Sequence, residues 1–220
     1  MMTHKSSLIG LPRAAEIAIA LGGLLAVSPL LLIASILIKA TSSGSVLFRQ
    51  RRVGLNGKEF TLYKLRTMRV LQSGSLVTAA GDQRITPLGR ILRKTKIDEL
   101  PGLWNIIKGD MSFVGPRPEV PQLVDLNNSI WQEILGVRPG ITDPITLKLR
   151  NEEDLLAGIK NKEEFYRDVL QPYKMNGYLK FVRTKNWKTD IKIIFQTIKA
   201  VLMPKSAPPP SLEEVRNGVV

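Results

Sequence analysis

The 220 residues carry 32 Lys and Arg against 19 Asp and Glu, a formal charge of +13, with no Cys and a single His. That His is His4, near the N-terminus, so thiolate nucleophiles, Cys/His zinc sites, Ser/His/Asp triads and imidazole bases are excluded; any catalysis falls to carboxylates, Lys, Arg, Tyr or a hard cation. The length suits one domain plus an attachment segment, and the absence of Cys fits a reducing compartment without requiring one.

The first element is an apolar run, Ile17 to Ile38, 22 residues without a charge. As a helix it could cross a hydrocarbon core of about 30 Å. Positive charge brackets it, with Lys5 and Arg13 before and Lys39, Arg49, Arg51 and Arg52 after, which marks both ends as cytoplasmic. Pro29 has no N–H to give the Leu25 carbonyl and favours a kink, while the Ser28 hydroxyl can bond back to a carbonyl one turn earlier. We expect a re-entrant helix over residues 1–41, broken at Ser28-Pro29 and returning to the same side. A kinked span is the alternative.

Beyond it, Val46 to Val53 and Glu59 to Met68 are β-prone runs joined through Asn56-Gly57, a hairpin signature. Lys64 and Arg66 alternate along the second run and share one face, as phosphate ligands or as exposed charges. Residues Gly89 to Lys96 read as a short basic helix with Ile91 and Leu92 inward and Arg90, Arg93 and Lys94 outward. From Lys39 to Arg117 there are 15 Lys and Arg against 5 Asp and Glu, a net of +10. Such a surplus points to nucleic acid, anionic lipid headgroups or a nucleotide, or to a merely solvated basic face.

A helix is predicted to start at Asp98, with Leu100, Leu103, Trp104 and Ile107 as its buried stripe and Pro101 tolerated in the first turn. Asp98 and Glu99 then sit where free N–H groups favour anions, keeping Asp98 ionised. An ordinary N-cap, a carboxylate nucleophile and a Mg²⁺ ligand are all compatible with that position. Asp110 reads as a turn-forming residue, whereas Arg117, in the rigid Gly115-Pro116-Arg117-Pro118 turn, can fork onto a phosphate.

Several segments, in order, resemble the bacterial sugar transferases, also called monotopic phosphoglycosyl transferases. They are Ser28-Pro29 in the apolar run, FRQRRVGLNGKEFTLYKLRTM from Phe48, LGRILRKTKIDELPGLWNIIKGDMSFVGPRP from Leu88, and VRPGIT from Val137. The resemblance covers roughly Ala14 to Val201. It implies transfer of a sugar 1-phosphate from a UDP-sugar to polyprenyl (undecaprenyl) phosphate, with Mg²⁺ and release of UMP, at the start of glycoconjugate assembly. It further implies Asp98 as nucleophile forming an aspartyl phosphosugar, and Glu99 supporting the metal or activating the acceptor, so that both are metal-ligand candidates. Lys64, Arg93 and Arg117 would hold phosphates. Membrane lipid is an implied partner, nucleic acid is not, and a homodimer is one assembly the reading allows. Family members often continue Pro-Gly-Ile-Thr with Gly, whereas Asp143 and Pro144 follow here, so sugar choice falls on that region.

Trp187, Ile191, Ile194, Ile198 and Leu202 form one helical stripe flanked by Lys188, Lys192 and Lys199, suited either to the headgroup layer of a membrane or to packing on the core. The Pro-rich stretch 204–220 is expected to be unstructured. The fold class is therefore α+β, mostly helical: a re-entrant membrane helix, a catalytic domain over 42–203 with a small β-hairpin and amphipathic interfacial helices, and a tail. The domain is expected on the cytoplasmic face of the bacterial inner membrane. A non-catalytic membrane-anchored basic binding module is the competing function. A CDP-alcohol transferase is disfavoured, since its multiple spans and spaced Asp clusters are lacking.

Overall fold

The computed structural model describes residues 10–69, 78–203 and 210–218. His4 and Lys5 lie outside them. The architecture is mostly helical with two small sheets, in agreement with the predicted class.

Helix α1 (Arg13–Thr41) runs without interruption through Pro29, a correction to the expected break at Ser28-Pro29: the proline does not end the helix but costs it one backbone donor. The Ser28 hydroxyl replaces it, donating to the Leu25 carbonyl at 2.8 Å. Most of the helix surface is apolar and uncovered, with Leu25 74% exposed. Contact with the rest of the chain is made at two places. Ala20 packs with Leu62, Leu103, Ile106 and Met111, and Ala34 and Ile38 pack with Leu65 and Leu92.

Polar bonds fasten both helix ends to this same body. At the start, buried Glu16 accepts from the Phe113 N–H at 3.1 Å and from the Ser112 hydroxyl, and Arg13 donates to the Met111 carbonyl at 3.0 Å. At the other end, Arg66 donates to the Ser42 carbonyl and hydroxyl, both at 2.9 Å, satisfying groups that α1 leaves open. Arg66 is buried in that task rather than exposed or free for phosphate.

Strands β1 (Leu47–Val53) and β2 (Glu59–Leu65) form the predicted antiparallel hairpin, with Phe48 opposite Lys64. Its turn places Asn56 at φ 55° and Gly57 at φ 77°, conformations that Asn and Gly adopt most readily. Helix α2 (Pro87–Lys94) follows, N-capped by the Thr86 hydroxyl. Leu92 is buried as predicted, but Ile91 is 60% exposed, a correction to its inward assignment.

The segment expected to open an α-helix at Asp98 is a 3-10 turn, Ile97–Gly102, and helix α3 (Leu103–Lys108) begins only after it. Three residues per turn instead of 3.6 advances the phase, so Ile106 is buried and Trp104, assigned to the stripe, is 48% exposed. Strand β3 (Ser112–Val114) pairs in parallel with β4 (Gly140–Thr142), and α4 (Ser129–Ile134) lies between them in sequence.

Short helices α5 (Pro144–Lys148), α6 (Glu152–Leu156) and α7 (Lys162–Phe165) lead through a π-turn into α8 (Gln171–Thr184). Their main core contains Trp131, Ile134, Leu156, Tyr166, Leu170 and Tyr173. Helix α9 (Trp187–Leu202) buries Asp190 and Ile193 while leaving Trp187, Ile198 and Leu202 of the predicted stripe exposed, with Phe195 beside them.

Part of the stretch expected to be unstructured is helical. Residues 204–209 and 219–220 lie outside the described set, but helix α10 (Leu212–Arg216) opens with a Ser211–Glu214 capping box and drives Val215 into the main core.

Candidate active site

Asp98 is positioned by a reversal at Lys96, whose φ of 59° stops α2 and turns the chain into the 3-10 segment. A non-glycine residue in that conformation is uncommon and signals a locally imposed geometry. Asp98 is 5% exposed, and its Oδ1 has no hydrogen-bond partner among the described residues. No side-chain cap bond forms at this terminus, which departs from the N-cap alternative. Burial, reinforced by the neighbouring Glu99 charge, pushes the Asp98 carboxyl above its ordinary value, while Lys64, Arg93 and Lys96 pull it back. The expectation of a weakly basic carboxylate is thus corrected: desolvation outweighs any stabilisation by the turn.

Glu99 points into a cationic clamp. Lys64 Nζ lies 3.1 Å from its Oε1, and Arg117 donates through Nη2 to Oε1 at 2.7 Å and through Nη1 to Oε2 at 3.4 Å. Arg117 and Lys64 hold the Glu99 carboxyl well below the usual range despite its burial. Burial brings Lys64 down to about 8. The fork expected to meet a phosphate therefore meets Glu99, and the two cations reach the cavity already ordered by it. Arg93 is held by Glu153 and by the Thr67 hydroxyl at 3.4 Å.

All five predicted residues, Lys64, Arg93, Asp98, Glu99 and Arg117, line one cavity of about 510 Å³, within the range of small-molecule sites. A second cluster in its lining was missed by sequence reasoning. There Glu119 accepts from the Tyr166 hydroxyl at 2.7 Å and pairs with Lys174 at 3.1 Å, with Arg52 at 3.9 Å. Lys174 also reaches Glu152 at 3.4 Å. Arg52 and Glu119 fall within or beside the motifs quoted above, which was the available signal; Lys174 carried none.

Among the described residues no group of three or more acidic side chains could cage a metal. The residues still fit Mg²⁺, which takes one or two carboxylates plus substrate phosphates, because Asp98 offers an unengaged buried oxygen. Glu99 fits poorly as a ligand, since two cations occupy it.

Comparison with known proteins gives the family. A family described as bacterial sugar transferase matches residues 8–204. A UDP-glucose:undecaprenyl-phosphate glucose-1-phosphate transferase of Caulobacter vibrioides is 37% identical over 185 residues, 82% of this chain and 65% of that protein. A UDP-N-acetylgalactosamine-undecaprenyl-phosphate N-acetylgalactosaminephosphotransferase of Aeromonas hydrophila is 35% identical over 80% of this chain and 40% of its own length. The exopolysaccharide production protein ExoY of Sinorhizobium fredii is 33% identical over 89% of this chain and 87% of that protein. The chain spans less than two thirds of the UDP-glucose transferases it matches, 65% of one and 41% of another. With a match across nearly the whole described chain, and with Asp98 and its cations in one cavity, the chain belongs to the bacterial sugar transferase family.

Proposed function

We propose that this protein transfers a sugar 1-phosphate from a UDP-sugar to polyprenyl phosphate, undecaprenyl phosphate in a bacterium, through a covalent intermediate on Asp98. The observation that carries the reading is the buried, unpartnered Oδ1 of Asp98 in a cavity lined by Lys64, Arg93, Lys96 and Arg117. The names of the relatives supply the substrate classes.

In the first half-reaction an Asp98 oxygen attacks the β-phosphorus of the donor, a bond to the carboxylate forms, and the bond to the α-phosphate oxygen breaks, releasing UMP. In the second, an oxygen of the polyprenyl phosphate attacks the same phosphorus and the carboxylate leaves. Desolvation makes Asp98 the better nucleophile. Lys64, Arg93 and Arg117 neutralise the phosphoryl oxygens, so positioning and charge complementarity suffice without a His. Glu99 holds two of those cations in place. Mg²⁺, held by Asp98 and the donor diphosphate, would supply further charge neutralisation.

The two anchored ends of α1 support a re-entrant course. A segment whose start is tied to Phe113 and whose end is tied to Arg66, both in one body, enters and leaves lipid on the side where that body sits. Bracketing positive charge makes that side the cytoplasm, facing soluble UDP-sugars. The exposed stripe of α9 then lies in the headgroup layer.

The test is direct. Asp98→Asn is expected to abolish UMP release from a UDP-sugar and undecaprenyl phosphate, and intact-mass spectrometry of the wild type with donor alone is expected to show a phosphosugar adduct. Retained turnover in the variant, or no adduct under trapping, would overturn the covalent role.

A further inference from the structure

Resting on that reading, we propose that Glu152 and Tyr178 form the subsite that reads the hydroxyl groups of the donor sugar, with Lys174 as the residue that positions Glu152.

The cavity lining holds two bonded clusters. One joins Lys64 and Arg117 through Glu99 beside Asp98; the other joins Glu119, Glu152, Tyr166 and Arg52 around Lys174, with Tyr178 also in the lining. Lys174 and Arg52 neutralise Glu119, so the selective group is Glu152, whose carboxylate only accepts: a diphosphate has no proton to donate to it, whereas the hydroxyls of a sugar do. Lys174, 5% exposed, is consumed by Glu119, Tyr166 and Glu152, at 3.1, 2.9 and 3.4 Å. It therefore fixes acceptors rather than offering itself to ligand.

Lys174 engages only Oε2 of Glu152, and among the described residues no bond engages Oε1. The Tyr178 hydroxyl belongs to a residue 1% exposed, lines the cavity and has no partner among the described residues. A buried hydroxyl without a partner is destabilising unless something completes it, so it marks a place where a ligand group belongs.

Reach separates sugar from uracil. The sugar is joined to the attacked phosphorus through one oxygen, whereas the base lies beyond a second phosphate and a ribose. Tyr178 and Glu152 line the same cavity as Asp98 and as Arg117, which clamps Glu99. Glu152 moreover opens α6, just past the Asp143-Pro144 departure to which sugar choice was assigned from sequence.

The experiment measures kcat/KM for wild type, Glu152→Gln and Tyr178→Phe across a panel of epimeric UDP-hexoses and UDP-N-acetylhexosamines, together with UMP binding by calorimetry. Both variants are expected to lower kcat/KM for the preferred donor by roughly 10- to 100-fold and to narrow its advantage over epimers, because a site built to bond a hydroxyl loses that discrimination when the bond is removed. UMP binding is expected to stay as in wild type. A parallel loss of UMP binding would assign this subsite to the nucleotide, and an unchanged donor ranking would remove its role in sugar choice; either result overturns the inference. No turnover by wild type with any UDP-sugar would instead overturn the proposed function. Tyr178→Phe removes only the unpartnered oxygen, so folding is not at stake in that arm.

Discussion

Helix α1 and the Glu119–Lys174 wall of the cavity invert one another's burial. On α1, apolar side chains such as Leu25 and Leu32 face outward and the charged residue Glu16 is buried. In the wall, Glu119 and Lys174 are buried where a soluble domain would place Leu or Val. In each case the buried ions are tied to named partners, while the exposed apolar surface has none. The contrast teaches that this chain is built for two solvents: charge is withdrawn where lipid would lie and concentrated where phosphate and sugar would bind.

The strongest way to break the comparison is Lys174→Met, which leaves Glu119 and Glu152 without their ammonium. Removing one partner of a buried ion pair costs about 3 to 5 kcal/mol, so denaturation in detergent is expected to show a large loss of stability. The control sits on the other region. Leu25→Ala, at an uncovered position, is expected to change stability by less than about 0.5 kcal/mol in the same assay. Equal losses would mean that α1 is packed against something in detergent as well.

Next is Glu16→Ala, aimed at the buried charge within the apolar element. It strands the Phe113 N–H and the Ser112 hydroxyl and leaves Arg13 one fewer partner, for a loss of about 2 kcal/mol. Protease sensitivity of the chain N-terminal to α1 is expected to rise with it, since this bond ties the start of the helix to β3. Unchanged digestion would show that the Arg13 bond to the Met111 carbonyl and the packing of Ala20 hold that end without Glu16.

Local chemistry made part of this legible from sequence. Asn56-Gly57 announced the hairpin because only certain residues accept its dihedral angles, whereas the acidic dyad suited an N-cap, a nucleophile or a metal ligand alike, and the resemblance of the surrounding segments singled out Asp98. The stripe in α3 slipped because Pro101 sits in a 3-10 turn whose period differs from the assumed one, exchanging Trp104 for Ile106. Pairing over long separations left no trace: Glu119 meets Lys174 across 55 intervening steps of chain, and no periodicity encodes that meeting. The Ser211–Glu214 capping box was a local signal, obscured by the prolines before it.

Titration of Lys64 sharpens the comparison by separating function from stability. Burial lowers its ammonium from 10.5 to about 8, so the charge offered to donor phosphates is lost as pH rises through that value. For the free enzyme, kcat/KM is expected to fall above pH 8 by at most about tenfold per unit. Stability moves the opposite way. The folded state releases this proton before the unfolded state does, so the Lys64 contribution rises between pH 8 and 10.5. Lys64→Arg is expected to flatten both profiles. A fall in activity and stability together would point to another group.

The smallest effect tests the one hydrogen bond that α1 mends for itself. Pro29 leaves the Leu25 carbonyl without a backbone donor, and the Ser28 hydroxyl supplies one at 2.8 Å. Ser28→Ala is expected to cost about 1 kcal/mol, the scale of a side-chain hydrogen bond in lipid. Pro29→Ala restores the N–H, so the double variant Ser28→Ala/Pro29→Ala is expected to regain most of that loss, a coupling that two independent sites would not show. Restoring the donor also removes the clash that favours bending. With Thr3→Cys as the sole thiol in a chain that has no Cys, impermeant labelling from outside is expected to appear in the Pro29→Ala background and not in the parent. Labelling from the cytoplasmic side in both would mean that the anchors at Glu16 and Arg66, rather than the proline, return the helix to its own side.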